Sequence, residues 1–143
     1  MQRFVYSVAC VALLGAALIA AFDEKEALAK FIERAEQCKD EVGASDAEVQ
    51  TAVKHEAAST YEGKCLRACI MKSFHVLGEN GKLDVEAGRE KAKQYTGSDP
   101  AKLEMALEIG DICAAIPVPD DHCEAAEKYS LCFKSEAHKR GLI

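Results

Sequence analysis

The residues of this sequence best suited to chemistry are its cysteines. There are seven, at position 10 and at Cys38, Cys65, Cys69, Cys113, Cys123 and Cys132. Thiols can form disulfides, bind zinc or act as nucleophiles, and the cellular compartment largely decides among these roles. Cys65 and Cys69 lie four residues apart, so on one helix they would share a face but be poorly placed to bond each other. Each is therefore expected to reach a cysteine on another segment.

The N-terminal segment indicates an oxidising compartment. Arg3 is followed by an uncharged, mostly apolar stretch over residues 4–21, which ends at the charged residues 23–25. The stretch is short for a membrane span and has the basic start and apolar centre of a secretory signal peptide. We predict a signal peptide over residues 1–21 and a single domain over residues 22–143, with an uncleaved anchor as the alternative. Cys10 would leave with the leader, and the remaining even set predicts three disulfides.

Metal binding and catalysis fit these residues less well. Cys65, Cys69 and His75 could suggest zinc, but an even cysteine set behind a signal peptide favours disulfides. A small secreted phospholipase would need a His–Asp pair beside a glycine-rich calcium loop. His122 follows two aspartates, yet no such loop is near it in the sequence. The sequence therefore predicts no enzyme, no metal site and no cofactor.

The charge balance argues against two classes of partner. The chain has 18 Lys and Arg residues against 24 Asp and Glu residues, a net charge of −6. Nucleic acids and anionic membrane surfaces attract proteins with clustered basic residues. We therefore expect no nucleic acid partner and no stable membrane insertion after signal cleavage.

The segments that position the cysteines are predicted to be helices. No long alternation of β-branched and polar residues predicts a strand, whereas capping residues followed by apolar residues at three-and-four spacing recur. Predicted helices begin near Asp23, Ser45, Ser59, Asp84, Asp99 and Asp121. The third should end at Gly78, the fourth should be a solvated cover, and the fifth, apolar over half its surface, should be the most enclosed. The fold class is all-α, a bundle of about six helices.

The cysteine spacing resembles that of a known family. Successive gaps between the last six cysteines are 26, 3, 43, 9 and 8 residues. The gaps of three and eight, with segments 64–69 and 117–123, resemble insect odorant-binding proteins of the pheromone-binding and general odorant-binding type, especially dipteran members. The resemblance covers the whole mature chain. It implies helices around an apolar cavity and the pairing Cys38–Cys69, Cys65–Cys123 and Cys113–Cys132.

The resemblance also implies a function. It suggests an extracellular carrier that reversibly binds a small apolar volatile ligand, an odorant or pheromone, and solubilises it in sensillar lymph. An odorant receptor or another sensory membrane protein is the implied macromolecular partner. A carrier of non-olfactory lipids or hormones would have the same sequence features. The alternative from another class is a secreted defence or signalling protein acting through an exposed apolar or basic surface.

Candidate ligand-binding residues come mostly from the apolar faces of the first, third, fifth and sixth helices. They are Phe31, Ile32, Ile70, Ser73, Phe74, Leu77, Leu83, Leu103, Ala106, Leu107, Ala114 and Phe133. Core residues share this periodicity, so the pattern does not separate cavity lining from solid core. Ser73 interrupts its apolar face and could donate to a ligand or, alternatively, to the carbonyl of Cys69, four residues back. Leu142 and Ile143 could lie over an opening.

Overall fold

The computed structural model describes residues 24–97 and 99–143, so the predicted signal peptide lies outside the described residues. The described residues form six helices: α1 Glu24–Val42, α2 Asp46–Val53, α3 Tyr61–Ser73, α4 Val85–Thr96, α5 Pro100–Ala114 and α6 His122–Lys139. Within these ranges there is no strand, and Leu77 and Leu83 form an isolated bridge. None of these helices is long and apolar enough to cross a membrane.

Five helices begin at a side chain that accepts a hydrogen bond from a main-chain N–H in the first turn. The capping residues are Ser45, Thr60, Asp84, Asp99 and Asp121. The predicted cap of α3 at Ser59 is wrong by one residue. Thr60 accepts from the N–H of Gly63 at 3.0 Å, while the hydroxyl of Ser59 donates to Glu48. Both hydroxyls donate to the buried carboxylate of Glu48, and that of Thr60 also accepts the hydrogen bond that caps the helix.

The predicted end of α3 at Gly78 is also wrong, because the helix ends at Ser73. His75 has a φ of +61°, in the left-handed region that reverses chain direction. The loop that follows is closed by a hydrogen bond from the N–H of Gly78 to the carbonyl of Lys82, at 2.8 Å. Phe74 and Leu77, which a continuous helix would place on one face, therefore pack in two different apolar clusters.

The centre of the packing is α3, which has five buried residues and contacts α1, α2 and α6. One core cluster joins α1 and α2 to α3, and a second lies between α3 and α6. The prediction that the fifth helix is the most enclosed is wrong. In α5 only Ile109 and Cys113 are buried, and Ile112 is 42% exposed. Much of its apolar face borders a hollow rather than packed side chains.

The three disulfides have the pairing that the resemblance implies. Cys38–Cys69 joins α1 to α3, Cys65–Cys123 joins α3 to α6, and Cys113–Cys132 joins α5 to α6. As predicted for a solvated cover, α4 has no buried residue, and it packs mainly against α5. The α4–α5 pair is thus attached to the rest of the bundle chiefly through α6, along a contact that Cys113–Cys132 fixes.

Candidate functional site

The hollow beside α5 is a cavity of about 520 Å³. The α4–α5 pair forms one side of it, and α1, α6 and the loop after α3 form the other. Its apolar wall consists mainly of Ala27, Phe31, Phe74, Val76, Leu83, Val85, Ala92, Tyr95, Ala106, Leu107, Ile109, Phe133, Ala137 and Leu142. A cavity of this size, lined mostly by carbon, can bury most of a small organic molecule. We refer to it as the larger cavity.

Six of the twelve residues predicted from the sequence line this cavity. They are Phe31, Phe74, Leu83, Ala106, Leu107 and Phe133. They come from four separate parts of the chain, and the fold brings them together around one space. Whether they bind ligand remains a prediction.

The other predicted residues lie elsewhere. Ile70 is buried in the core and borders a second cavity, and Leu77 is buried between α3 and α6. Ile32 is 38% exposed, and Leu103 and Ala114 are half-buried on α5, so these three line neither cavity. Ser73 donates to a main-chain carbonyl, as the alternative to ligand binding predicted. The acceptor, however, is Ile70 at 2.7 Å, three residues back, and not Cys69.

The twelve predicted ligand-binding residues include none from α4. Val85, Gly88, Ala92 and Tyr95 line the larger cavity, although most of the helix is polar. Their spacing of three, four and three residues places them on one face of the helix. That spacing was a usable signal, but two of the four residues are too small to stand out as an apolar stripe.

The charged residues around the larger cavity lie at its margin. Arg89 on α4 and Asp111 on α5 form an ion pair of 3.2 Å, and both side chains are about half exposed. Asp84 and Lys91 also border the cavity. In the described part of the chain, no group of three or more His, Cys, Asp or Glu residues is arranged to hold a metal ion. The mostly apolar wall is suited to enclosing an apolar molecule.

A second cavity of about 350 Å³ adjoins the larger one. Four residues line both cavities: Phe31, Val76, Phe133 and Ala137. We refer to this space as the smaller cavity. Its lining differs in chemistry, because it includes His55, Glu56, Arg67, Ser130 and Lys134.

The C-terminal residues border both cavities. Leu142 lines the larger cavity and the next residue, Ile143, lines the smaller one. The N–H of Leu142 donates to the carbonyl of Ala137 at 3.0 Å, which holds the tail against the end of α6. Leu142 is still 42% exposed and Ile143 58% exposed, so the tail forms a partial cover over each space.

Three buried charges support the segment that precedes α3. Arg67 Nε lies 3.0 Å from Glu127 Oε2, and Arg67 Nη1 lies 3.9 Å from Glu48 Oε2. Arg67 also donates to the carbonyl oxygens of Gly63 and Glu56. Because Glu127 accepts from the N–H of Ala58 at 2.9 Å, the chain over residues 56–58 is held against this network.

Glu48 supports the start of α3. Its carboxylate accepts hydrogen bonds from the N–H of Ser59, at 3.0 Å, and from the hydroxyls of Ser59 and Thr60. Burial by itself would raise the pKa of Glu48, but these hydrogen bonds outweigh it and lower the pKa below its ordinary value. The charged form is thus the one that the fold stabilises.

Comparison with known proteins agrees with this architecture. A match to the PBP/GOBP family covers residues 20–136. The sequence is 66% identical to general odorant-binding protein 28a of Drosophila melanogaster over the full length of both chains. It is 38% identical to general odorant-binding protein 19d of the same species over 77% of this chain and 73% of the relative. A solved structure of odorant-binding protein 28a from D. melanogaster matches with 69% identity and a TM-score of 0.75, over 85% of this chain and all of that one.

Proposed function

We propose that this chain, which belongs to the PBP/GOBP family, holds odorants or similar small apolar volatile molecules in its larger cavity and carries them through an aqueous lymph. The family consists of secreted, non-enzymatic carriers of small hydrophobic ligands. The observation that carries the proposal is the half-open cavity of about 520 Å³ with an apolar wall. Secretion through a signal peptide over residues 1–21, residence in sensillar lymph and delivery to an odorant receptor are parts of the same proposal.

The size of the cavity sets the expected affinity. A ligand that buries about 300 Å² of apolar surface gains about 7 kcal/mol at about 25 cal/mol per Å². Part of this is lost when the ligand and the flexible side chains around it become ordered. The net result is a dissociation constant of about 10 µM or weaker. Such an affinity permits both uptake and release.

The proposal is tested by displacement of N-phenyl-1-naphthylamine, a neutral fluorescent probe, from the oxidised protein. Volatile alcohols, aldehydes, ketones and terpenoids should displace it at micromolar concentrations and with one-to-one stoichiometry. Gly110→Leu should abolish binding, because Gly110 lines the larger cavity and a side chain there would extend into open space. Ile112→Leu is the matched control, because it places a leucine on the exposed side of α5.

The outcomes separate the alternatives. Loss of probe binding in Gly110→Leu but not in Ile112→Leu would locate the ligand in the larger cavity. If only long-chain lipids or hormones displaced the probe, the protein would still be a carrier, but its ligands would not be odorants. Absence of probe uptake in the fully oxidised protein would contradict the proposal.

A further inference from the structure

The smaller cavity has a polar side that the larger one lacks. Ser130 and Lys134 lie four residues apart on α6, so they occupy neighbouring positions on one face of that helix. Both line the smaller cavity and both are half-buried. A hydroxyl and an ammonium group on adjacent turns form a natural pair of donors for one anionic group.

Lys134 is the cation available for this role. Within residues 24–97 and 99–143, no carboxylate forms an ion pair with it. Arg67 also borders the cavity, but its guanidinium is committed to Glu127, Glu48 and two carbonyl oxygens. Glu56 lines the cavity as well, yet it is exposed and is not paired with Lys134.

The hydroxyl of Ser130 is also weakly engaged. Its only hydrogen bond in the described ranges is to the sulfur of Met71, at 4.0 Å. A thioether sulfur is a poor acceptor, so a ligand oxygen would replace it favourably. Around these donors the wall is apolar, formed by side chains such as Ile70, Leu131 and Phe133. The cavity thus combines a hydroxyl and an ammonium group with a largely apolar wall.

We propose that the smaller cavity is a second binding site, which takes a short-chain carboxylate with its head group on Lys134 and Ser130. A volume of about 350 Å³ accommodates an acid of about eight carbon atoms. Because Phe31 and Phe133 line both spaces, occupancy of one site should alter affinity at the other, and this coupling is reciprocal. The coupling, though not the second site itself, rests on the function proposed for the larger cavity.

The test is calorimetric titration of octanoate into the full oxidised protein, with the larger cavity empty or saturated with N-phenyl-1-naphthylamine. Octanoate should bind one-to-one in both cases, and probe fluorescence should persist. Lys134→Met should weaken octanoate binding by about tenfold or more, because a charge-assisted hydrogen bond is lost. The same substitution should leave probe affinity and the binding of octanol unchanged. Lys128→Met, at an exposed lysine of α6, is the matched control.

A second variant tests the location of octanoate by blocking the smaller cavity sterically, without a change in charge. Ser130→Leu should exclude octanoate by filling the smaller cavity while the probe still binds. If octanoate competes with the probe and Lys134→Met has no effect, the acid occupies the larger cavity and the second site does not exist. Absence of octanoate binding would also overturn the inference. Failure of the probe alone, with octanoate binding intact, would instead contradict the function proposed for the larger cavity.

Discussion

Glu48, Arg67 and Glu127 place three charged groups in the interior of a small helical protein, each at least 94% buried. Two carboxylates share one guanidinium, so the network has a surplus negative charge that hydrogen bonds from Ser59 and Thr60 help to stabilise. The network fixes the chain between α2 and α3, which borders the smaller cavity. The network therefore holds this loop in place.

Gly63 is required by this network. A Cβ atom at position 63 would overlap the carboxylate of Glu48, which is buried and held by several hydrogen bonds. Gly63→Ala should therefore lower the free energy of unfolding by about 1–3 kcal/mol, the usual cost of overpacking. Gly88→Ala is the matched control, because Gly88 is also helical and its Cβ would meet no atom within 4 Å. Urea unfolding should show the control to be neutral or more stable, by up to about 1 kcal/mol. Equal behaviour of the two variants would contradict this account.

The lowered pKa of Glu48 predicts a pH-dependent contribution to stability. The folded state holds the pKa below the ordinary value of 4.5, so it favours the ionised carboxylate. The stabilisation is fully present above pH 4.5 and is lost as the pH falls through the folded-state pKa. Glu48→Gln should thus cost about 2 kcal/mol at pH 7 and progressively less in acid. Urea unfolding of both proteins at pH 7 and pH 3 measures this, with the exposed Glu104→Gln as control. A constant difference would contradict the assignment.

At the scale of elements, the α4–α5 pair behaves as one wall of the larger cavity. Its attachment to the bundle depends on α6 and on Cys113–Cys132. The other two disulfides lie within the α1, α2, α3 and α6 group, which also shares two core clusters. Cys113–Cys132 therefore has a more direct effect on the shape of the larger cavity than the other two disulfides have.

Removal of Cys113–Cys132 should release this wall. The double variant Cys113→Ala, Cys132→Ala should lower stability by about 2–4 kcal/mol and speed amide exchange selectively in α4 and α5. Probe affinity should fall by about tenfold or more, a change of about 1.4 kcal/mol. The matched variant Cys38→Ala, Cys69→Ala should lose comparable stability without selective exchange in α4 and α5. Uniform exchange in both variants would show that the wall is held by packing instead.

Features of these helices that depend on local interactions could be predicted from the sequence, and features that depend on tertiary packing could not. Helix starts at Ser45, Asp84, Asp99 and Asp121 were predictable because capping is a local interaction. The end of α3 was not, because the left-handed turn at His75 has no glycine to mark it. The prediction that α5 is the most enclosed helix was wrong for a different reason. A side chain facing a hollow and one facing a packed core have the same apolar periodicity, so only coordinates distinguish them.

At the scale of the whole molecule, the two cavities together remove packing that a solid domain of this size would have. An empty apolar space costs stability because the atoms around it lack dispersion contacts. The three disulfides offset that cost by restricting the unfolded chain. A ligand restores some of the missing contacts, so binding and stability should be linked.

This linkage gives a prediction for thermal unfolding. A ligand present at about one hundred times its dissociation constant stabilises the folded state by about 2.7 kcal/mol, which raises Tm by roughly 10 °C. Gly110→Leu should melt higher than the natural sequence without ligand, since it fills open space and removes a helical glycine. It should show no further rise when ligand is added, whereas Ile112→Leu should respond as the natural sequence does. If Gly110→Leu retained the ligand-dependent rise, the stabilising ligand would bind outside the larger cavity, and calorimetry on Ser130→Leu would show whether the smaller one holds it.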